Sequence, residues 1–144
     1  MSDEPELTPG QVGVGFLRHA QAPRNLGEMA QPSGRGRAVG VCGDAIQVDL
    51  GVHDEVITEV RVMPQGCVYT TVCASAVGEL ALGLRLDQAL ELTPDEVEKA
   101  LGGLPEDHLH CARLAVNTLG EAIADYYARA TLAGRRPAAE AERS

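Results

Sequence analysis

The feature that most constrains this chain is a change of hydrophobic period at Gly66. Upstream, AIQVDLGV (45–52) alternates, with Ile46, Val48 and Leu50 on one side and Gln47 and Asp49 on the other. A polar turn at His53-Asp54 follows, and VITEVRVM (56–63) alternates again, with Val56, Thr58, Val60 and Val62 on one side. Two alternating runs joined by a short polar turn predict an antiparallel hairpin, and Ala38–Val41 can supply a third strand. From Gly66 onward the period is helical. Cys67–Leu82 is rich in Ala, Val and Leu and free of proline. Shorter helices are predicted over Asp87–Leu92 and Pro94–Leu101, the latter opened by Thr93 as cap, proline first and acids in the first turn. Pro105-Glu106-Asp107 opens the last helix in the same way. There Leu109, Ala112, Val116, Leu119, Ile123, Tyr126 and Ala130 form one apolar stripe at spacings of 3 and 4. Strands first and helices afterwards predict an α+β fold: a small three-stranded antiparallel sheet, helices packed on one face, and a long C-terminal helix.

The ends and one internal stretch read differently. Residues 1–10 carry two prolines and read as a disordered lead-in, and 134–144 as a disordered tail. The remainder, 11–133, reads as a single domain with a short helix over Gln11–His19. APRNLGEMAQPSGRGRAVG (22–40), dense in Pro, Gly and Asn, reads as a long loop.

Charge and composition exclude several functions. Twelve Lys and Arg stand against 21 Asp and Glu, a net charge of −9. A phosphate-backbone binder would need a basic face, and an aromatic content of 3% leaves no stacking platform for single strands. No run of about 18 apolar residues spans a membrane. The N-terminus lacks the basic and apolar regions of a secretory signal. The expected compartment is the cytoplasm, where Cys42, Cys67, Cys73 and Cys111 are reduced thiols.

Each thiol admits a functional and a structural reading. In Cys42-Gly43-Asp44 the residues two apart project to one side of an extended chain, so thiolate and carboxylate can share a metal. The alternative is a buried cysteine and a turn aspartate. Cys67 follows Gly66 at the helix start, where free N–H groups stabilise a thiolate; an ordinary helix start is the alternative. Cys73 points about 120° away from Cys67 and is assigned to packing. On the last helix His110 lies about 160° and Cys111 about 100° off the apolar stripe, so neither reads as a core residue. Both are ligand types for zinc and iron–sulfur clusters. Among the others, His19 reads as structural, and His53 and His108 as exposed turn and helix-start residues. GRGR (34–37) lacks the ending and the following helix of a phosphate loop.

The order His19, Pro23-Arg24-Asn25-Leu26-Gly27, Cys42-Gly43-Asp44, Gly66-Cys67 and Leu109-His110-Cys111 resembles the NifU/IscU family of iron–sulfur cluster assembly scaffolds, from about Val12 to Tyr127. The resemblance implies a protein that is not an enzyme but carries a labile 2Fe-2S cluster on Cys42, Cys67 and Cys111. Asp44 would be an exchangeable ligand, His110 an additional one, and Cys111 the acceptor of persulfide sulfur. The same set would hold Zn²⁺ in the cluster-free form. Implied partners are a cysteine desulfurase, an iron donor and recipient apoproteins. The proline-paired basic element usual before the His-Cys pair is here Leu104-Pro105-Glu106-Asp107-His108, which counts against docking of an Hsp70-type chaperone. The second reading is a zinc-binding sulfur acceptor, or an activator of the desulfurase, that builds no cluster. A third is an interaction domain whose thiols are merely buried.

Overall fold

A computed structural model describes residues 13–133; the predicted lead-in and tail, and the first two residues of the predicted first helix, lie outside the described residues. In chain order the elements are α1 (Val14–Gln21), β1 (Gly34–Val39), β2 (Ala45–His53), β3 (Val56–Gln65), α2 (Val68–Ala81), α3 (Leu86–Ala89), α4 (Pro94–Leu101), a 3-10 turn (Glu106–His108) and α5 (Leu109–Leu132). The sheet is antiparallel in the order β1-β2-β3. This is the α+β architecture expected from the change of period, with helices layered on one face of the sheet.

The hairpin keeps the expected alternation on β2, where Ile46, Val48 and Leu50 are fully buried. On β3 the expectation fails below Val60. Gly51 pairs with Glu59 but Val52 pairs with Ile57, so Thr58 is an extra residue in the ladder. One extra residue reverses the in-out parity of everything before it. Ile57 therefore turns into the core and Thr58 to solvent. The turn uses Asp54 and Glu55 at φ 53° and 66°, the left-handed pair that matches the twist of a two-residue hairpin.

The glycine-rich stretch is only partly loop. Gly34–Val39 is β1, starting four residues earlier than Ala38. Gly34 and Gly36 face α5, and a Cβ on Gly36 would stand 2.5 Å from the Ala122 nitrogen and 2.7 Å from the Thr118 carbonyl. GRGR is thus a groove that lets a helix backbone lie against a strand. Arg35 points the other way, its guanidinium clasping Asp49 through Nε to Oδ1 (2.7 Å) and Nη2 to Oδ2 (2.9 Å). Asp49, on the side of β2 opposite Ile46, Val48 and Leu50, is also fully buried. The segment before β1 covers it, with the Met29 N–H donating to Asp49 Oδ2 and Leu26 bridging the open edge of β3.

α5 buries a wider arc than its stripe suggested, because it packs on the sheet on one side and on α2 and α4 on another. Cys111, Leu114, Ala115, Thr118 and Ala122 are buried along with Ala112, Leu119 and Ile123. Among the described residues no helix is long and apolar enough to cross a membrane.

His19 is structural, as expected. It is fully buried, with Nδ1 2.6 Å from Ser75 Oγ and Nε2 3.2 Å from Glu79 Oε1. Ser75 Oγ also accepts the Arg24 N–H at 2.7 Å. These contacts tie α1 and the Pro23–Gly27 segment to α2. Burial is the main cause that pulls the His19 pKa below its ordinary value, against the attraction of Glu79. The unfolded chain therefore takes up this proton first. The stability His19 contributes is complete above about pH 6.5 and falls as the pH drops below it. His19→Gln is expected to flatten the acid limb of the melting-temperature profile between about pH 7 and 5; an unchanged slope would assign that limb to other groups.

Candidate metal and sulfur site

Three elements deliver side chains to one cleft of about 350 Å³. The first is the turn between β1 and β2. The Gly40 N–H donates to the Asp44 carbonyl at 2.7 Å and the Gly43 N–H to the Gly40 carbonyl at 3.1 Å. Gly43 takes φ 84°, a left-handed conformation that favours glycine. A Cβ on Gly40 would lie 2.6 Å from Asp44 Oδ1. The turn sets Cys42 at the exposed tip and Asp44, 8% exposed, beneath it.

The second element is the start of α2. Cys67 occupies its N-cap in extended conformation and is exposed. Partial burial alone would raise this thiol. The Thr70 N–H and hydroxyl and the N–H of Tyr69 outweigh it, so Cys67 titrates below the usual thiol value. That is the effect of a helix N-terminus anticipated from position alone. The third element is the first turn of α5. His110 Nε2 lies 3.8 Å from Cys42 Sγ and 3.7 Å from Cys111 Sγ. Ligand atoms of Asp44, His110 and Cys111 all fall within 4.8 Å of one another.

The five predicted residues therefore meet in one place. Cys73 does not join them; it is fully buried, and burial with two neighbouring thiols raises its pKa far above the ordinary value. Two expectations need correction. Cys111 is 1% exposed and belongs to the core, because α5 is covered on two sides. Burial pushes its thiol up to about 11, with the nearby Thr70 hydroxyl acting against the rise and the charges of Cys67, Asp44 and Cys42 adding to it. His108 is not a plain exposed helix-start residue. Its ring stacks on Tyr69 at 3.7 Å and 11°, 6.2 Å from the ring of His110, and it lines the cleft. The 3-10 turn that precedes α5 swings it inward.

Sequence reading passed over Thr70. This hydroxyl is fully buried, donates to Asp44 Oδ2 at 3.1 Å, and lies 3.8 Å from Cys67 Sγ and 3.9 Å from Cys111 Sγ. The available signal was a polar residue one helical turn after Cys67, which returns to the same face.

The donor set suits a soft or borderline metal: the Cys42 and Cys67 sulfurs and the His110 imidazole line the cleft, and the Asp44 carboxylate and Cys111 sulfur are buried beside it. Asp44 Oδ1 fits that chemistry, since it is buried without a hydrogen-bond partner. An orphaned carboxylate oxygen among thiols costs free energy that a cation would recover.

The NifU-like N-terminal domain family model matches residues 14–133. The chain belongs to that family. NifU-like relatives include "Iron-sulfur cluster assembly scaffold protein IscU 1" of Archaeoglobus fulgidus, 39% identical over 111 residues, covering 76% of this chain and 72% of that protein. The scaffold protein IscU of Aquifex aeolicus is 36% identical over 113 residues, with 76% and 72% covered. Among solved structures, a NifU-like N-terminal protein from Brucella abortus superposes with a TM-score of 0.63 at 17% identity, over 81% of this chain and 94% of that one. At that identity the superposition speaks for the NifU-like fold alone.

Proposed function

We propose that this protein is a scaffold on which iron–sulfur clusters are assembled and from which they are passed on. One observation carries the reading: thiols from a loop tip and a helix start line an open cleft beside Asp44 and His110, and the buried Cys111 of the last helix adjoins both. The scaffold names of the NifU-like relatives support it. In this reading Cys42, Cys67 and Cys111 hold a 2Fe-2S cargo, and residues 11–133 are the working unit. Asp44 or His110 completes the set. Oxygen and imidazole ligands exchange more readily on iron than thiolates, so the cargo stays transferable.

Sulfur arrives as a persulfide from a cysteine desulfurase. The accepting thiolate attacks the outer sulfur, the S–S bond breaks, and the desulfurase leaves as thiolate. Cys111 is the proposed acceptor, and its burial means that it must be uncovered before it can attack. Iron comes from a separate donor, and recipient apoproteins take the finished cluster. Zinc occupies the same ligands when iron and sulfide are absent. A reducing compartment, the cytoplasm, keeps the thiols competent. The acidic Glu106-Asp107 pair in place of a basic element speaks against an Hsp70-type chaperone as the discharging partner.

Anaerobic reconstitution with ferrous iron, cysteine and a desulfurase tests this. The expected result is visible charge-transfer absorption that decays when an apo-ferredoxin is added. Zinc retention with faster desulfurase turnover and no visible bands would overturn the scaffold reading in favour of a desulfurase activator.

A further inference from the structure

We infer that Thr70 is a positioning residue that aims Asp44 at the metal, an inference that rests on the metal-site reading above. Thr70 has one hydroxyl proton, and it goes to Asp44 Oδ2. That leaves Asp44 Oδ1 buried without a hydrogen-bond partner beside the Gly40 backbone, on a carboxylate within reach of His110 and Cys111. The hydroxyl therefore fixes the rotation of the carboxylate and ties one of its oxygens, leaving the other free of the protein. The Thr70 oxygen also lies 3.8 Å from Cys67 Sγ and 3.9 Å from Cys111 Sγ. One atom on α2 thus touches groups from all three elements that build the cleft.

A second observation is independent of these hydrogen bonds. A Cβ on Gly66 would stand 2.8 Å from both Asp44 Cβ and Thr70 Oγ1. The chain between β3 and α2 has no side chain where the Thr70–Asp44 pair sits. The pair is fitted into that gap rather than left at a surface, with Thr70 fully buried and Asp44 8% exposed. Ligating carboxylates are held in orientation by such outer partners, whose loss costs roughly 10–100-fold in metal affinity.

The test is an anaerobic Co²⁺ titration of the full chain, read from sulfur-to-cobalt charge-transfer and ligand-field bands. Thr70→Val keeps the shape and removes the hydroxyl. It is expected to weaken Co²⁺ binding by roughly 10–100-fold and to shift the ligand-field bands. Thr70→Ser restores the hydroxyl and is expected to return both toward wild type. Asp44→Ala should lose about as much affinity as Thr70→Val, and the double variant should lose no more than Asp44→Ala alone, because Thr70 acts through Asp44. If Thr70→Val melts below the assay temperature, Thr70→Ala against Thr70→Ser makes the same comparison. Wild-type affinity in Thr70→Val, failure of serine to rescue, or additive losses in the double variant would each overturn the inference and leave the scaffold reading standing. A wild-type protein that shows no cobalt–thiolate absorption would overturn both.

Discussion

Cys42→Ser, Cys67→Ser and Cys111→Ser should each cut retention of a reconstituted cluster by at least the 10–100-fold seen when outer partners of metal ligands are lost, whereas Cys73→Ala should leave retention unchanged. Serine keeps the volume of Cys111, which is buried, so the loss reports ligation rather than a cavity. The contrast with Cys73 is the informative part. Cys73 lies about one and two-thirds turns along α2 from Cys67 and is fully buried away from the cleft. Its replacement by alanine removes one sulfur from the core and should cost about 1 kcal/mol of stability. Visible absorption after anaerobic reconstitution, paired with thermal melting of each apo variant, separates the two effects. A Cys73 variant that loses its cluster, or a Cys67 variant that keeps it, would break the assignment.

Gly36→Ala should destabilise the protein by about 2–3 kcal/mol, which lowers the melting temperature by roughly 10 °C. The added methyl would meet the nitrogen of Ala122 and the carbonyl of Thr118. Both are backbone atoms inside α5, so no side-chain rotation relieves the clash. The helix must move off β1 instead. Because α5 carries His110 and Cys111 and β1 leads directly to the Cys42 turn, the cleft should loosen with it. Gly120→Ala is the control. It lies in the same helix with nothing within 4 Å of the new Cβ, and alanine favours helix by about 1 kcal/mol over glycine. It should be neutral or stabilising. Equal melting temperatures for Gly36→Ala and wild type would show that the strand and helix do not need this close approach.

Much of the layout was legible from the order of residues. The 2-residue period marked β2 and most of β3, and the Thr93–Glu96 box with Pro94 placed the start of α4 at the residue. What escaped were features set by neighbours distant in sequence. The bulge at Thr58 depends on how β2 pairs, and alternation alone cannot reveal an extra residue. GRGR reads as loop because glycine disfavours strands, yet the approach of α5 makes glycine the residue that fits. His108 looked exposed because nothing local announces that Tyr69 will stack on it.

Local chemistry marked Cys42, Asp44, Cys67, His110 and Cys111 as candidates and set Cys73 aside, and only the NifU/IscU resemblance joined the five into one ligand set. Periodicity, caps and ligand types are short-range properties, carried by residues within a few positions of each other. Their meeting point was not short-range. Thr70 joined the group, and Cys111 passed from the presumed surface into the core, only once α2 and α5 packed together on the sheet. A side chain's burial and its partners depend on the whole packing of the chain, and no local window contains that.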